Sequence, residues 1–490
     1  MSDGDVVWPS DPRYAALRTG FNQRWSGTPA YIGLCATPAD VRDAVQTALD
    51  AGKRVTARGG GHCYEGFVSD NPDGVIVDLS PLHDVYRDPV MGGAYCVEGG
   101  CTLWNVYLTL YKQFGVTIPG GSCYSVGAGG HVCGGGYGLL SRKHGLTVDH
   151  LIAVEVVCVD ANRRAHLVLA RRSDADPRLE DLFWAHTGGG GGNFGIVTRY
   201  WFTPDLPAAP VSAYLSRLAW NWSDLAQAQF ARLLQNYGTY FAGHSAPGDP
   251  ANDLFALLVL MRNSPGSQLV LTTQYVGDDV AILDDFLARV SDGVGARGPQ
   301  TRDIPYLSSF VHDGDYRRMP WIEATQTLNG SGPNQRGKYK SAYMTKPFPD
   351  DQIAAIWSAL NARQPGAVST QALLQVDSYG GAVNAIAPDA TAVAQRSSIL
   401  KLQYQVYWTD PADDDANLAW IRDFYTSVYA RTGGVPIADG PVTDGCFINY
   451  CDTDLADWPA LYYKQGYARL ARVKRMWDPT NAFHHAQSIR

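Results

Sequence analysis

The chain has 490 residues, 45% hydrophobic and 18% charged, with a formal net charge of −8. That apolar content excludes a disordered protein, and the length exceeds the roughly 250–300 residues that one hydrophobic core can organise. The acidic balance, without a long basic run, excludes nucleic acid or an anionic membrane as the main partner.

The N-terminal segment MSDGDVVWPSDPRY has neither a basic n-region nor an apolar h-region. No run of about 18 apolar residues occurs, so we expect a cytoplasmic protein with no membrane span. Thr37 is placed to cap a helix opening on Pro38-Ala-Asp40. Val41, Ala44, Val45 and Ala48 recur at helical spacing, and Gly52 ends the pattern. A short strand over 53–57 leads into Arg58-Gly-Gly-Gly-His62, and GVIVDLS (74–80) reads as the next strand. Glycines cluster again at 120–138 and 188–195, with the apolar strand LIAVEVVCVD (151–160) between them. Pro204, Pro207 and Pro210 mark a change of texture. Residues 211–440 then alternate strands with helical stretches, and an amphipathic helix is expected over 457–476, before Asp478-Pro479.

The nine cysteines form no CxxC pair, and their odd number argues against a disulfide framework. No carboxylate–histidine cluster has ligand spacing, so no metal is expected. Gly190-Gly-Gly192-Asn-Phe-Gly195 matches GxGxxG in form only. A Rossmann loop must open a helix, whereas Ile196–Phe202 is β-branched and aromatic and reads as a strand. The turn at 58–62 is either an ordinary tight turn or a nest of N–H groups for a pyrophosphate.

Arg58-Gly-Gly-Gly-His-Cys-Tyr64 resembles the R-[SG]-G-G-H segment of FAD-linked oxidases of the berberine-bridge-enzyme type, within the vanillyl-alcohol-oxidase superfamily. Gly120-Gly-Ser-Cys123-Tyr-Ser-Val-Gly127-Ala-Gly-Gly-His131 is similar to that family's G-x-C-x-x-V-G-x-G-G-H. Gly134–Asp149, Gly191–Val197, Ser378–Gly381, Ile448–Tyr450 and Asp478–Phe483 continue the pattern in order. The resemblance implies an α+β protein. A two-lobed, PCMH-type FAD-binding domain would be built from both chain ends (1–205 and 441–490). A central α+β substrate domain (206–440) would carry a mainly antiparallel sheet.

The resemblance further implies FAD held by two covalent bonds, from His62 to the flavin 8α carbon and from Cys123 to C6. Cys63 and Cys133 lie outside the matching positions. Arg58, Gly59, Gly60 and Gly61 would cradle the pyrophosphate. Gly127, Gly130 and Gly138 would approach the ring or ribityl chain, with His131 as a packing or FAD-contacting residue. Val148, Gly195, Ile196 and Val197 would lie on the adenine side, and Asn449 and Asn481 would close over the flavin.

Since His62 is committed to the flavin, an alcohol oxidase needs another base. Tyr450 is the first candidate and Tyr379 the second. A free tyrosine has a pKa of about 10, so a phenolate needs a cation or a donated hydrogen bond. Alternatively a neutral phenol passes its proton to a carboxylate. Asp377, two residues before Tyr379, shares its face if both lie on a strand; it either serves a tyrosine or caps a turn. Tyr64 and Tyr137 are candidates for the substrate cleft.

The expected activity is oxidation of an alcohol on a bulky small molecule, a glycosylated or polycyclic natural product, with O₂ as acceptor and H₂O₂ as product. The alternatives are an oligosaccharide oxidase, an oxidative cyclase or dehydrogenase of the same family, and an inactive flavin-binding protein.

Overall fold

Thr37 and Asp40 close a reciprocal cap. The Thr37 hydroxyl accepts the Asp40 N–H at 3.1 Å, and the Asp40 carboxylate accepts the Thr37 N–H at 3.0 Å. The helix Pro38–Asp50 that follows buries Val41, Ala44, Val45 and Ala48, the face its spacing predicts. A computed structural model describes residues 5–295, 316–362 and 368–490.

Three sheets organise the described residues. The first joins β1 (Val6–Val7), β2 (Tyr31–Leu34), β3 (Val55–Arg58) and β4 (Val75–Asp78) in the order β1-β2-β4-β3. The last three are parallel, and the helix 38–50 makes the crossover from β2 to β3. The second contains β5 (Val85–Asp88), β6 (Ala94–Glu98), β7 (Leu151–Val159), β8 (Ala165–Arg171) and β9 (Ile196–Phe202), all antiparallel. Because β9 begins right after Gly195, the GxGxxG match opens a strand and not a helix, as expected.

The third sheet has seven antiparallel strands: β10 (Ser212–Asn221), β11 (Leu254–Met261), β12 (Gln268–Tyr275), β13 (Tyr316–Pro320), β14 (Arg336–Met344), β15 (Gln371–Ser378) and β16 (Leu400–Trp408). Side chains alternate across it. Leu258, Val376, Leu402, Tyr404 and Val406 enter the main core, which the helices Gln227–Gly243, Asp350–Asn361 and Asp414–Val428 share. Leu257, Gln375, Asp377, Gln403 and Gln405 face the other way and line a cavity.

The C-terminal segment returns to the glycine-rich sheets. Tyr463 donates to the Gly189 carbonyl, and Ile489 N–H to the Asn193 side chain. The expected helix over 457–476 is two helices, Trp458–Tyr463 and Gly466–Trp477, broken at Lys464, whose φ is +49°. Among the described residues, no helix is long and apolar enough to cross a membrane.

Candidate active site

The two glycine loops meet backbone to backbone. A Cβ on Gly60 would collide with the Gly127 amide nitrogen and the Ser125 carbonyl, so only glycine permits this contact. Their junction forms one wall of a cavity of about 450 Å³. Arg58, Gly59, Gly60, Gly61, His62 and Tyr64 line it from the first loop. Cys123, Gly127, Gly130, His131, Tyr137 and Gly138 line it from the second. Gly195, Ile196 and Val197 add the start of β9, Asn449 and Tyr450 the C-terminal segment, and Asp377 the seven-stranded sheet.

Three expected positions fall elsewhere. Val148 is fully buried, with its N–H on the Gly135 carbonyl, and does not reach the cavity. Asn481 is exposed in a turn with φ +52°. Tyr379 is also off the wall, because β15 ends at Ser378 and Gly380 turns the chain at φ +87°. Its hydroxyl donates to the Gln395 carbonyl at 3.2 Å, and its ring packs behind Tyr137 at 5.2 Å. Asp377 and Tyr379 therefore do not share a strand face.

Arg58 corrects another expectation. Its guanidinium is held by Asp78, with Nε donating to Oδ2 at 2.8 Å, and by the carbonyls of Leu17 and Thr19. The side chain braces the loop, and Gly59, Gly60 and Gly61 line the cavity beside it.

His62 Nε2 lies 2.8 Å from the Ser125 hydroxyl, and the ring stacks on Phe21 at 4.6 Å. Nδ1 has no hydrogen-bond partner among the described residues. Burial pushes the pKa down to about 4, so the imidazole is neutral and nucleophilic. Cys123 stands on the same cavity wall. Burial pushes its thiol up to about 11, against hydrogen bonds from the Ser122 hydroxyl, Gly330 N–H and Ser331 hydroxyl. Gly130 faces open space, since a Cβ there would meet nothing within 4 Å. A neutral imidazole, a thiol and a bare glycine wall fit an isoalloxazine ring.

Tyr450 sits on a short turn, Ile448–Tyr450, beside this wall. Lys401, fully buried behind it on β16, donates to the Tyr450 hydroxyl at 2.8 Å and pairs with Asp377 at 2.6 Å. Asp377 and Lys401 are direct cross-strand partners of β15 and β16, so the sheet register builds the pair. Lys401 also lies 4.7 Å from the centre of the Tyr137 ring, whose hydroxyl is spent on the Ser378 carbonyl. Burial raises Tyr450 well above the ordinary tyrosine value, and Asp377 adds to this. Burial lowers Lys401, although Asp377 opposes it. The two shifts move apart: burial favours the neutral form of each group, so within the pair the lysine gives up its proton before the tyrosine does.

Around this relay the sheet floor carries amides. Gln403 donates to the Tyr64 hydroxyl at 3.3 Å, Gln405 to Gln375 at 3.0 Å and Gln375 to Asp377 at 2.9 Å. The sequence reading missed Lys401, Gln375, Gln403 and Gln405. For Lys401, Gln403 and Gln405 the signal was a strand, LKLQYQVYW, with polar residues at every second position.

A model for the FAD-binding domain matches residues 29–163, and one described as berberine and berberine like matches 446–490. The chain is 44% identical to the aclacinomycin-N/aclacinomycin-A oxidase of Streptomyces galilaeus, covering 98% of this chain and 88% of that protein. The chain belongs to the berberine-bridge-enzyme-like FAD-linked oxidases. It is an FAD-dependent oxidoreductase. It is also 39% identical to the hexose oxidase of Chondrus crispus, covering 98% of this chain and 93% of that one. Among solved structures, a glycopeptide hexose oxidase complexed with teicoplanin superposes with a TM-score of 0.90 at 40% identity, covering 99% and 98% of the two chains.

Proposed function

We propose that this protein oxidises an alcohol on a bulky, glycosylated or polycyclic natural product, with FAD held through both His62 and Cys123. Bound there, FAD supplies the two-electron acceptor of an alcohol oxidation, and oxygen takes those electrons away as hydrogen peroxide. His62 and Cys123 approach from separate glycine loops, so two tethers fix the ring while the cleft stays open to a large substrate.

The observation that carries the reading is the Tyr450–Lys401–Asp377 relay beside those two tethers. In its active form the Tyr450–Lys401 pair is one proton short. The Tyr450 oxygen then takes the substrate hydroxyl proton as its own proton passes to neutral Lys401, which Asp377 anchors from behind. Tyr137 packs under the lysine and excludes water. Tyr64 extends the aromatic side of the cleft, with its ring 5.9 Å from that of Tyr450.

The amide floor of Gln375, Gln403 and Gln405 offers donors and acceptors for hydroxyl groups, which favours a sugar as the reacting unit. The same feature supports the second reading, an oligosaccharide oxidase, in line with the relative named as a hexose oxidase. A panel of glycosylated polyketides, glycopeptides, oligosaccharides and simple benzylic alcohols separates the two. Under anaerobic conditions the substrate should bleach the flavin, and in air it should release stoichiometric peroxide. Bleaching by none of the panel would contradict both readings.

A further inference from the structure

The amides of the cavity floor belong to one directed chain that ends at the proton acceptor. The Tyr407 hydroxyl donates to Gln405 Oε1 at 2.8 Å, Gln405 Nε2 to Gln375 Oε1 at 3.0 Å, and Gln375 Nε2 to Asp377 Oδ1 at 2.9 Å. The other carboxylate oxygen, Asp377 Oδ2, pairs with Lys401 at 2.6 Å, and Lys401 donates to the Tyr450 hydroxyl at 2.8 Å. Gln405 reaches Gln375 diagonally across β15 and β16, where Gln375 stands opposite Gln403 and Asp377 opposite Lys401.

Both ends of the chain dictate its direction. A carboxylate only accepts, so Gln375 must turn its NH₂ to Asp377 and its oxygen to Gln405. Gln405 must then turn its NH₂ to Gln375 and its oxygen to Tyr407, which leaves Tyr407 as the donor. Burial raises the Tyr407 phenol above its ordinary value, so that donor keeps its proton.

We propose that Gln375, held in one orientation by Gln405 and Tyr407, is a positioning residue that sets the pH at which the Tyr450–Lys401 pair becomes one proton short. Its catalytic consequence rests on the Tyr450 reading above. The Gln375 N–H on Oδ1 takes part of the carboxylate's charge away from the lysine. Without that bond the carboxylate attracts the Lys401 ammonium more strongly, and the lysine holds its proton to higher pH. Besides Tyr450, the titratable groups that face Asp377 and Lys401 are Tyr137, Tyr237 and His131. Tyr137 donates to the Ser378 carbonyl and Tyr237 to the carbonyls of Ala256 and Val376, and burial raises both. Burial pushes His131 down to about 4. All three are neutral at neutral pH and leave the charge balance to Asp377 and its Gln375 donor.

The test follows the lysine itself. Holoenzyme is made with lysine carrying ¹³C at Cε, the Lys401 signal is assigned by its loss in Lys401→Met, and its shift is followed against pH. In Gln375→Leu the Lys401 midpoint should rise by about one pH unit, and the rising limb of kcat/KM should move with it. Tyr407→Phe keeps the ring and releases both amides, so its midpoint should move the same way by less. Retained flavin colour shows that a variant folds, and Tyr407→Phe decides the matter should Gln375→Leu not fold. A Lys401 midpoint that stays at the wild-type pH, or falls, would overturn the proposal. Failure of the Tyr450 reading shows separately, as unchanged flavin reduction in Tyr450→Phe, while the Lys401 titration still reads the chain.

Discussion

Lys401 donates a 2.8 Å hydrogen bond to the Tyr450 hydroxyl from a position with no solvent exposure. This contact joins the seven-stranded sheet to the C-terminal segment at the cavity wall. It makes the two residues one titrating unit, with a macroscopic pKa that belongs to the pair.

Replacing Tyr450 by Phe removes the proton acceptor and keeps the ring packing against Phe447 at 5.0 Å. Flavin reduction by substrate should slow by about 10²- to 10⁴-fold, with flavin content unchanged. Stopped-flow reduction under anaerobic conditions checks it; an unchanged rate would remove Tyr450 from the proton path.

Activity should rise with pH as the Tyr450–Lys401 pair loses a proton. Lys401→Met removes the group that takes this proton and leaves Tyr450, raised by burial, to ionise alone, so the rising limb moves to higher pH. A hydrogen bond to a charged group is worth about 1.5–3 kcal/mol, hence a shift of about one to two pH units. The kcat/KM profile of the variant reads it.

The same substitution leaves Asp377 buried without its partner. Breaking a buried pair costs about 3–5 kcal/mol, whereas replacing both partners costs far less. Lys401→Met should therefore melt well below the wild type, and Lys401→Met with Asp377→Leu should recover much of the loss. Melting curves of the two singles and the double give the coupling directly.

Gly60→Ala and Gly130→Ala should fail differently. A methyl on Gly60 strikes the Gly127 backbone, so the variant loses stability and flavin together. A methyl on Gly130 meets no protein atom within 4 Å and projects into open space, so thermal stability of the apoprotein holds while flavin incorporation falls. Visible absorbance and apoprotein melting separate the two outcomes.

Asp454 gives an acid-lability prediction. Burial alone would raise its carboxyl, but Arg422 at 2.8 Å, with Lys338 and Lys340, outweighs burial and holds it well below the ordinary value. Below about pH 4 the unfolded chain binds this proton and the folded one does not, so stability present above that pH is lost as pH falls. Asp454→Asn should flatten the fall in melting temperature between pH 5 and pH 3. An unchanged slope would remove Asp454 from the acid response.

The glycine-loop side of the cavity was legible because its constraints are local. Gly59–Gly61 and Gly120–Gly138 are read within one segment, and the capped helix 38–50 announces itself through Thr37 and Asp40. The opposite wall was not, because it depends on register. Lys401 meets Asp377 only when β15 pairs with β16 in one alignment, and one residue of slip would turn Lys401 into the core. Tyr379 was misplaced because its strand ends one residue earlier than alternation implies, at the Gly380 turn. Arg58 kept its place on the cavity, but Asp78, a partner twenty residues away on β4, claims its guanidinium.

The double tether is tested most directly by denaturing the purified holoenzyme in acid and mapping the flavin by mass spectrometry. The account predicts yellow colour that stays with the protein, and one FAD bonded to both the His62 and Cys123 peptides. Flavin released entirely into the supernatant, or carried by a peptide containing neither residue, would contradict it.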